Sequence, residues 1–262
     1  MPVHQIVPST TSHKAEPLVP TLAVFARLGI ADLDLNLHHL IEVGMSAEAV
    51  SAALAANGQT VRIVSGGWCD FFHAEPEIER TFASIDRQAA LARLFGVDRI
   101  RLFFGRLPYQ AYSRDALATI ARNIRHCAER HPDLLLVFEN HDGASLQPRV
   151  CREILETVDR ANVRMNFDPI NFAHAGVDSL GAAAELGPLI AHVHLKGLDQ
   201  TGYCEFGVGD VDLTPVLHRL LAGGYCGGFT VEYEGRFDRT LHLYEGFRRA
   251  QAAIADLVDQ RG

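Results

Sequence analysis

Acids and a histidine recur at the ends of four successive apolar runs in the second half of this 262-residue chain. One run closes Leu-Val-Phe-Glu139-Asn140-His141 and the next Met-Asn-Phe-Asp168-Pro169. The third reads His192-Val-His194-Leu-Lys196, and the fourth ends Thr-Val-Glu232-Tyr-Glu234. Glu139, Asp168, His194 and Glu232 follow one another at intervals of 29, 26 and 38 residues, each about one strand–helix unit. Three carboxylates and an imidazole brought to one point repel one another and resist ionisation unless a cation sits between them. One divalent ion turns such a cluster into a hard, oxygen-rich site suited to Mn²⁺, Mg²⁺, Co²⁺ or Zn²⁺. Taken singly, an acid at a strand end is more often a helix cap or an ion-pair partner, and a lone histidine a core residue. The joint pattern is what points to a metal.

The elements that must deliver these residues follow from hydrophobic periodicity. Apolar runs at 5–8, 33–37, 61–64, 100–104, 134–138, 163–167, 190–195 and 228–231 are of strand length, and most are rich in Val, Ile, Leu and Phe, as strands buried on both faces are. Amphipathic stretches lie between them. Ser46, Ser113 and Asp212 stand at helix starts, and Pro215 falls in a first turn. Pro76 with Glu77 opens a stretch to Phe95, and a last helix covers about 239–258. Eight strands in strict alternation with about eight helices predict a single (β/α)₈ TIM barrel over residues 1–262, an α/β fold with parallel strands inside and helices outside. An open doubly wound sheet would call for GxGxxG after the first strand, where Pro8-Ser9-Thr10-Thr11 stands instead.

Composition narrows the function classes. A hydrophobic share of 48% with 21% charged residues is that of an ordinary globular chain, large enough to fold without disulfide staples. Acids outnumber bases 32 to 24, a formal charge of -8, which argues against nucleic acid and membrane as partners. The five cysteines form no CxxC pair, so reduced thiols are expected. With neither a signal-like start nor an apolar run of membrane-spanning length, the expectation is a cytoplasmic protein.

The residues also carry a family resemblance. Phe-Glu139-Asn-His141, Phe-Asp168-Pro-Ile-Asn171, His192-Val-His194-Leu-Lys196, Gly207-Val-Gly209-Asp-Val-Asp212 and Val-Glu232-Tyr together resemble the xylose isomerase-like TIM-barrel superfamily, in its sugar (phosphate) isomerase/epimerase branch. Gly29-Ile-Ala-Asp-Leu-Asp34 is similar to the second-strand motif, with Asp34 where Glu is usual. The resemblance implies that Glu139, Asp168, His194 and Glu232 hold one divalent metal, and that Glu139 and Glu232 double as acid/base groups. The chemistry agrees: moving a proton next to a carbonyl needs a Lewis acid to hold the developing enediolate and a base of tuned pKa. The chain departs from ketose 3-epimerases in three places. No further Glu follows Glu139 within the stretch to Ser145, Asn171 replaces a His, and Lys196-Gly197 replaces an Arg-containing loop.

Further residues are candidates for substrate contact. His141 lies two residues beyond Glu139, and Lys196 two beyond His194, where alternation aims it at the barrel mouth. Asn171 and His174 follow the sixth strand. Asn36 and His38 belong to a polar set on the second strand, Arg101 lies on the fourth, and Trp68 (with Phe71) follows the third as a wall against water. His192 is expected one layer below His194, and the Gly207–Gly209 pair lacks the pattern of a phosphate loop.

These features predict a metal-dependent isomerase or epimerase of a small sugar or related polyhydroxy-carbonyl compound. The alternative on the same metal set is a dehydratase of an inosose or dehydroshikimate-like substrate. An abasic-site endonuclease would need about three zinc ions and basic loops, and a non-catalytic barrel would have no use for four converging ligands. A small carbohydrate-like molecule is the expected partner, and a homo-oligomer is compatible with the sequence.

Overall fold

A computed structural model describes residues 4–260. In chain order the strands are β1 (Ile6–Pro8), β2 (Asp32–Asn36), β3 (Thr60–Ser65), β4 (Arg99–Phe103), β5 (Leu135–Glu139), β6 (Val163–Phe167), β7 (Ile190–Leu195), β8 (Gly197–Asp199), β9 (Gly202–Cys204) and β10 (Gly228–Val231). Eight of them form one parallel sheet in the order β1-β10-β7-β6-β5-β4-β3-β2. A single parallel bridge between Ser9 and Asp34 joins its two ends. The chain is therefore a TIM barrel, with helices around the sheet.

The expected strands are all found, several displaced by one residue. The expected strict alternation fails once: β8 and β9 pair as an antiparallel hairpin between β7 and the following helix. Gly209 (φ +105°) folds the next turn against this hairpin so closely that a Cβ would lie 2.5 Å from the Leu198 carbonyl oxygen, and only glycine fits there.

Local chemistry sets the helix starts. Ser46 Oγ accepts from Ala49 N and Ser113 Oγ from Ala116 N, each at 3.2 Å, meeting backbone donors that have no partner inside the helix. Asp212 serves Thr214 N at 2.9 Å, but Leu213 holds the cap position of Thr214–Ala222. The second strand also differs from simple alternation. A register shift between Leu33 and Asp34 leaves Asp32 outside, paired with Arg62 at 2.7 Å, while Asp34 is fully buried. Between sheet and helices the core is apolar, with Phe25, Phe71, Phe138, Phe167, Phe172 and Phe229 among its fully buried side chains. Among the described residues no helix is long and apolar enough to cross a membrane.

Candidate active site

Parallel strands end at one rim of a barrel, so residues at their C-terminal ends meet there whatever their separation in sequence. Glu139 is the last residue of β5, Asp168 directly follows β6, His194 lies in β7 opposite Thr230 of β10, and Glu232 directly follows β10. One ligand atom from each of the four lies within 4.8 Å of the others, and all four residues are buried. His194 Nδ1 is 3.2 Å from Glu232 Oε2 and 3.6 Å from Glu139 Oε1.

The donors suit a divalent cation. Both His194 nitrogens, Glu232 Oε1 and Asp168 Oδ2 are buried without a hydrogen-bond partner, which is costly in a dry interior. Lys196 Nζ comes within 3.0 Å of Asp168 Oδ2 as an ion pair, so that oxygen has charge compensation. Burial alone would raise the pKa of Glu139, but His194 and Arg101 outweigh it and hold the carboxyl well below its ordinary range. Glu232 is likewise held low by His194 against the effect of burial. Ionised carboxylates, a buried imidazole and unpaired oxygens make an oxygen-rich, three-carboxylate ligand set.

Neighbours hold this cluster in place. Asp168 Oδ1 caps the helix Pro169–His174 by accepting from Ile170 N (2.9 Å) and Asn171 N (3.0 Å), which aims its other oxygen at the cluster. The Asn140 side chain clamps the Asp168 backbone in both directions, donating to its oxygen at 2.8 Å and accepting from its nitrogen at 2.9 Å. Asn171 Nδ2 donates to Glu139 Oε1 at 3.1 Å, and Arg101 Nε stands 3.3 Å from Glu139 Oε2. One layer down, His192 Nε2 lies 2.8 Å from Thr230 Oγ1, and its ring centroid is 5.9 Å from that of His194.

A cavity of about 510 Å³ opens above Glu139 and Glu232, large enough for a monosaccharide-sized ligand. Asn36, His38, Trp68, Arg101 and His141 also line it. Asn36 is held by Thr11 Oγ1 (2.9 Å) and accepts from His38 N (2.9 Å). Trp68 is 42% exposed, stacks on Phe103 at 4.3 Å and meets His141 edge-on at 5.2 Å. Lys196 is buried and lies outside this cavity, bordering a second one of about 480 Å³ with Gly207, Gly209 and Asp210; it is bound to Asp168 and to Glu234 Oε2 (2.7 Å).

Four expected contacts do not line the cavity: Asn171 and Lys196, which are buried among the carboxylates behind it, and His174 and Phe71. His174, at the far end of its short helix, is exposed and packs on Tyr203 of the hairpin at 5.0 Å, because one helical turn carries it away from the rim. Phe71 is fully buried against Phe138 in the layer between sheet and helices.

Two residues outside the ligand and substrate-contact candidates also belong here, Asp34 of the second-strand motif and Glu234. Asp34 Oδ2 accepts from Ser65 Oγ at 2.8 Å, while Oδ1 is unpartnered; burial, reinforced by Glu232, lifts its pKa to about 6 although His194 opposes the rise. Glu234 lines the cavity and holds Lys196. Its signal was the two-residue step after Glu232, which mirrors the step from His194 to Lys196.

Comparison with known proteins adds three findings. A family profile described as xylose isomerase-like TIM barrel matches residues 25–256. A 3-dehydroshikimate dehydratase of Bacillus anthracis is 25% identical over 130 residues, 48% of this chain and 46% of that protein. An inosose dehydratase of Mesomycoplasma hyopneumoniae (strain 7448) is 32% identical over 120 residues, 38% of this chain and 40% of that protein. The matched segments thus span less than half the length of these curated relatives. Among solved structures, an L-ribulose 3-epimerase superposes with a TM-score of 0.83 at 16% identity, covering 99% of this chain and 97% of that one.

Proposed function

The chain belongs to the xylose isomerase-like TIM-barrel family, and on that premise we propose that it is a metal-dependent isomerase or epimerase of a small polyhydroxylated carbonyl compound. The observation that carries this reading is the pair Glu139 and Glu232, two ionised carboxylates that line one cavity and share the same His194 nitrogen as neighbour. Glu139, Asp168, His194 and Glu232 would hold the metal, which when bound supplies a Lewis acid for the substrate carbonyl and an adjacent hydroxyl. One glutamate removes the proton next to the carbonyl. Delivery of a different proton to the opposite face of the same carbon by the other glutamate, once that has taken up a proton from solvent, gives an epimer. Return of the abstracted proton to the neighbouring carbon gives the aldose–ketose isomer. Arg101 and Asn171 keep Glu139 in place through the proton transfer, and Trp68 with Phe103 walls the cavity from water.

A lyase is the second reading, favoured by the dehydratase names of the two curated relatives. The same base would take the same proton, and a β-hydroxyl would leave as water. Reduced thiols, of which Cys69, Cys127 and Cys151 are buried, support a cytoplasmic setting.

The test is incubation of Mn²⁺-loaded enzyme with ketoses and cyclic ketones in heavy water, followed by NMR. Deuterium beside the carbonyl together with an epimer or isomer supports the proposal. Loss of water establishes the lyase instead, and absence of both reactions across the panel overturns the reading.

A further inference from the structure

The basic side chains around the cavity come with carboxylates of their own. Arg101 stands 3.3 Å from Glu139. His38 Nδ1 lies 3.0 Å from Glu42 Oε2, and His141 Nδ1 lies 3.2 Å from Asp142 Oδ2. Lys196 Nζ is held by Glu234 at 2.7 Å and Asp168 at 3.0 Å, with the Tyr203 ring centroid 4.6 Å away. It is Glu234, not Lys196, that lines the cavity. Among the described residues Lys14 is the one cavity-lining base with no carboxylate partner, and it is exposed.

We propose that this pairing makes the site selective for uncharged substrates, and that Glu234 is the specificity-determining residue because it occupies the buried ammonium that an anionic group would otherwise use. The inference rests on reading the site as that of a carbohydrate-type enzyme and names its substrate class: a neutral polyol ketone or aldehyde, without phosphate or carboxylate.

A phosphate or carboxylate entering the cavity meets Glu42, Glu139, Glu232 and Glu234 on its walls. To reach Lys196 from this cavity it must displace Glu234, leaving one carboxylate facing the newcomer. Stripping a buried charge of its partner is costly, so the resident pair acts as a repulsive element against anions. A hydroxyl is received differently, because a carboxylate is an acceptor and a sugar hydroxyl donates to it. Charge balance points the same way. Glu139, Asp168, Glu232 and Glu234 are matched by Arg101, Lys196 and one divalent ion, so these groups leave no surplus positive charge for an anion.

The experiment compares two matched pairs by calorimetric titration of Mn²⁺-loaded protein: D-ribulose against D-ribulose 5-phosphate, and myo-inositol against shikimate. The neutral member of each pair is expected to bind tighter by on the order of tenfold, and Glu234→Gln to strengthen binding of the anionic members by a similar factor. An anion that binds wild type as tightly as its neutral counterpart, or no gain in Glu234→Gln, overturns the selection while leaving the isomerase reading intact. Binding of none of the four, with no turnover of the wider ketone panel, overturns the functional reading, and charge selection falls with it.

Discussion

His194 Nδ1 stands 3.2 Å from Glu232 Oε2, yet Glu232 Oε1 and both nitrogens of the imidazole are buried without a hydrogen-bond partner. A pair so placed is poorly satisfied on its own and gains most from a shared cation.

The first prediction is therefore stoichiometric binding. One Mn²⁺ per chain should bind, and at a free concentration a hundredfold above its dissociation constant it should stabilise the fold by about 2.7 kcal/mol. Urea unfolding with and without metal reads this directly. His194→Ala should lose the increment, and a variant still stabilised like wild type would place the ion elsewhere.

Turnover should depend on both glutamates. Glu139→Gln and Glu232→Gln keep the shape of the side chain but remove its capacity to take a proton, and each should lower kcat by roughly 10²–10⁴-fold. Initial rates on whichever substrate the heavy-water screen reveals provide the measurement. Wild-type rates in either variant would remove that residue from the proton path.

Arg101 and Glu139 are both almost fully buried, so their separation is expected to show in stability. Arg101→Met should cost about 3 kcal/mol in the metal-free protein, because it leaves Glu139 with less compensation. Equilibrium unfolding checks this. A change within experimental error would mean that Asn171 and His194 satisfy the carboxylate alone.

A separate prediction concerns acid stability and lies outside the cavity. Glu205, just after the hairpin, is clasped by His242 and Arg249 of the last helix. Burial would raise its pKa, but these two partners win and depress it below the ordinary 4.5. A depressed folded-state pKa gives stability that is present above the unfolded value and lost as pH falls through the folded one. Wild type should therefore lose stability below about pH 4.5, and Glu205→Gln should flatten that part of the curve. Thermal unfolding between pH 3 and 7 is the assay, with unchanged acid slopes the contrary result.

Much of the barrel was legible because burial on both faces forces Val, Ile, Leu and Phe into each strand, and because βα units have a characteristic length. The four-residue cluster was legible for a related reason. Glu139, Asp168, His194 and Glu232 each sit at the end of an unambiguous apolar run, so their level in the barrel follows from the strand count. What could not be read depended on geometry without a period. The register shift at Leu33/Asp34 sends Asp32 out to Arg62, against the alternation that correctly turns Asp34 and Asn36 inward. The hairpin of β8 and β9 is too short to leave a pattern, so the cover that Tyr203 gives Lys196 was invisible. His174 was misplaced because a helix six residues long rotates its last residue away from the face on which it begins.

The barrel's two ends meet at one bridge, Ser9 to Asp34, and the other neighbour of β1 is β10. Of the barrel strands described, β1 comes first in the chain and its main partner β10 last. Their pairing closes the longest loop in the sheet, and the entropy of that closure is offset only once the strands between them are in place. Closure of the ring is therefore expected to be a late step in folding. Asp34 stands at that seam, so the same step that closes the barrel also completes the inner wall beside Glu232.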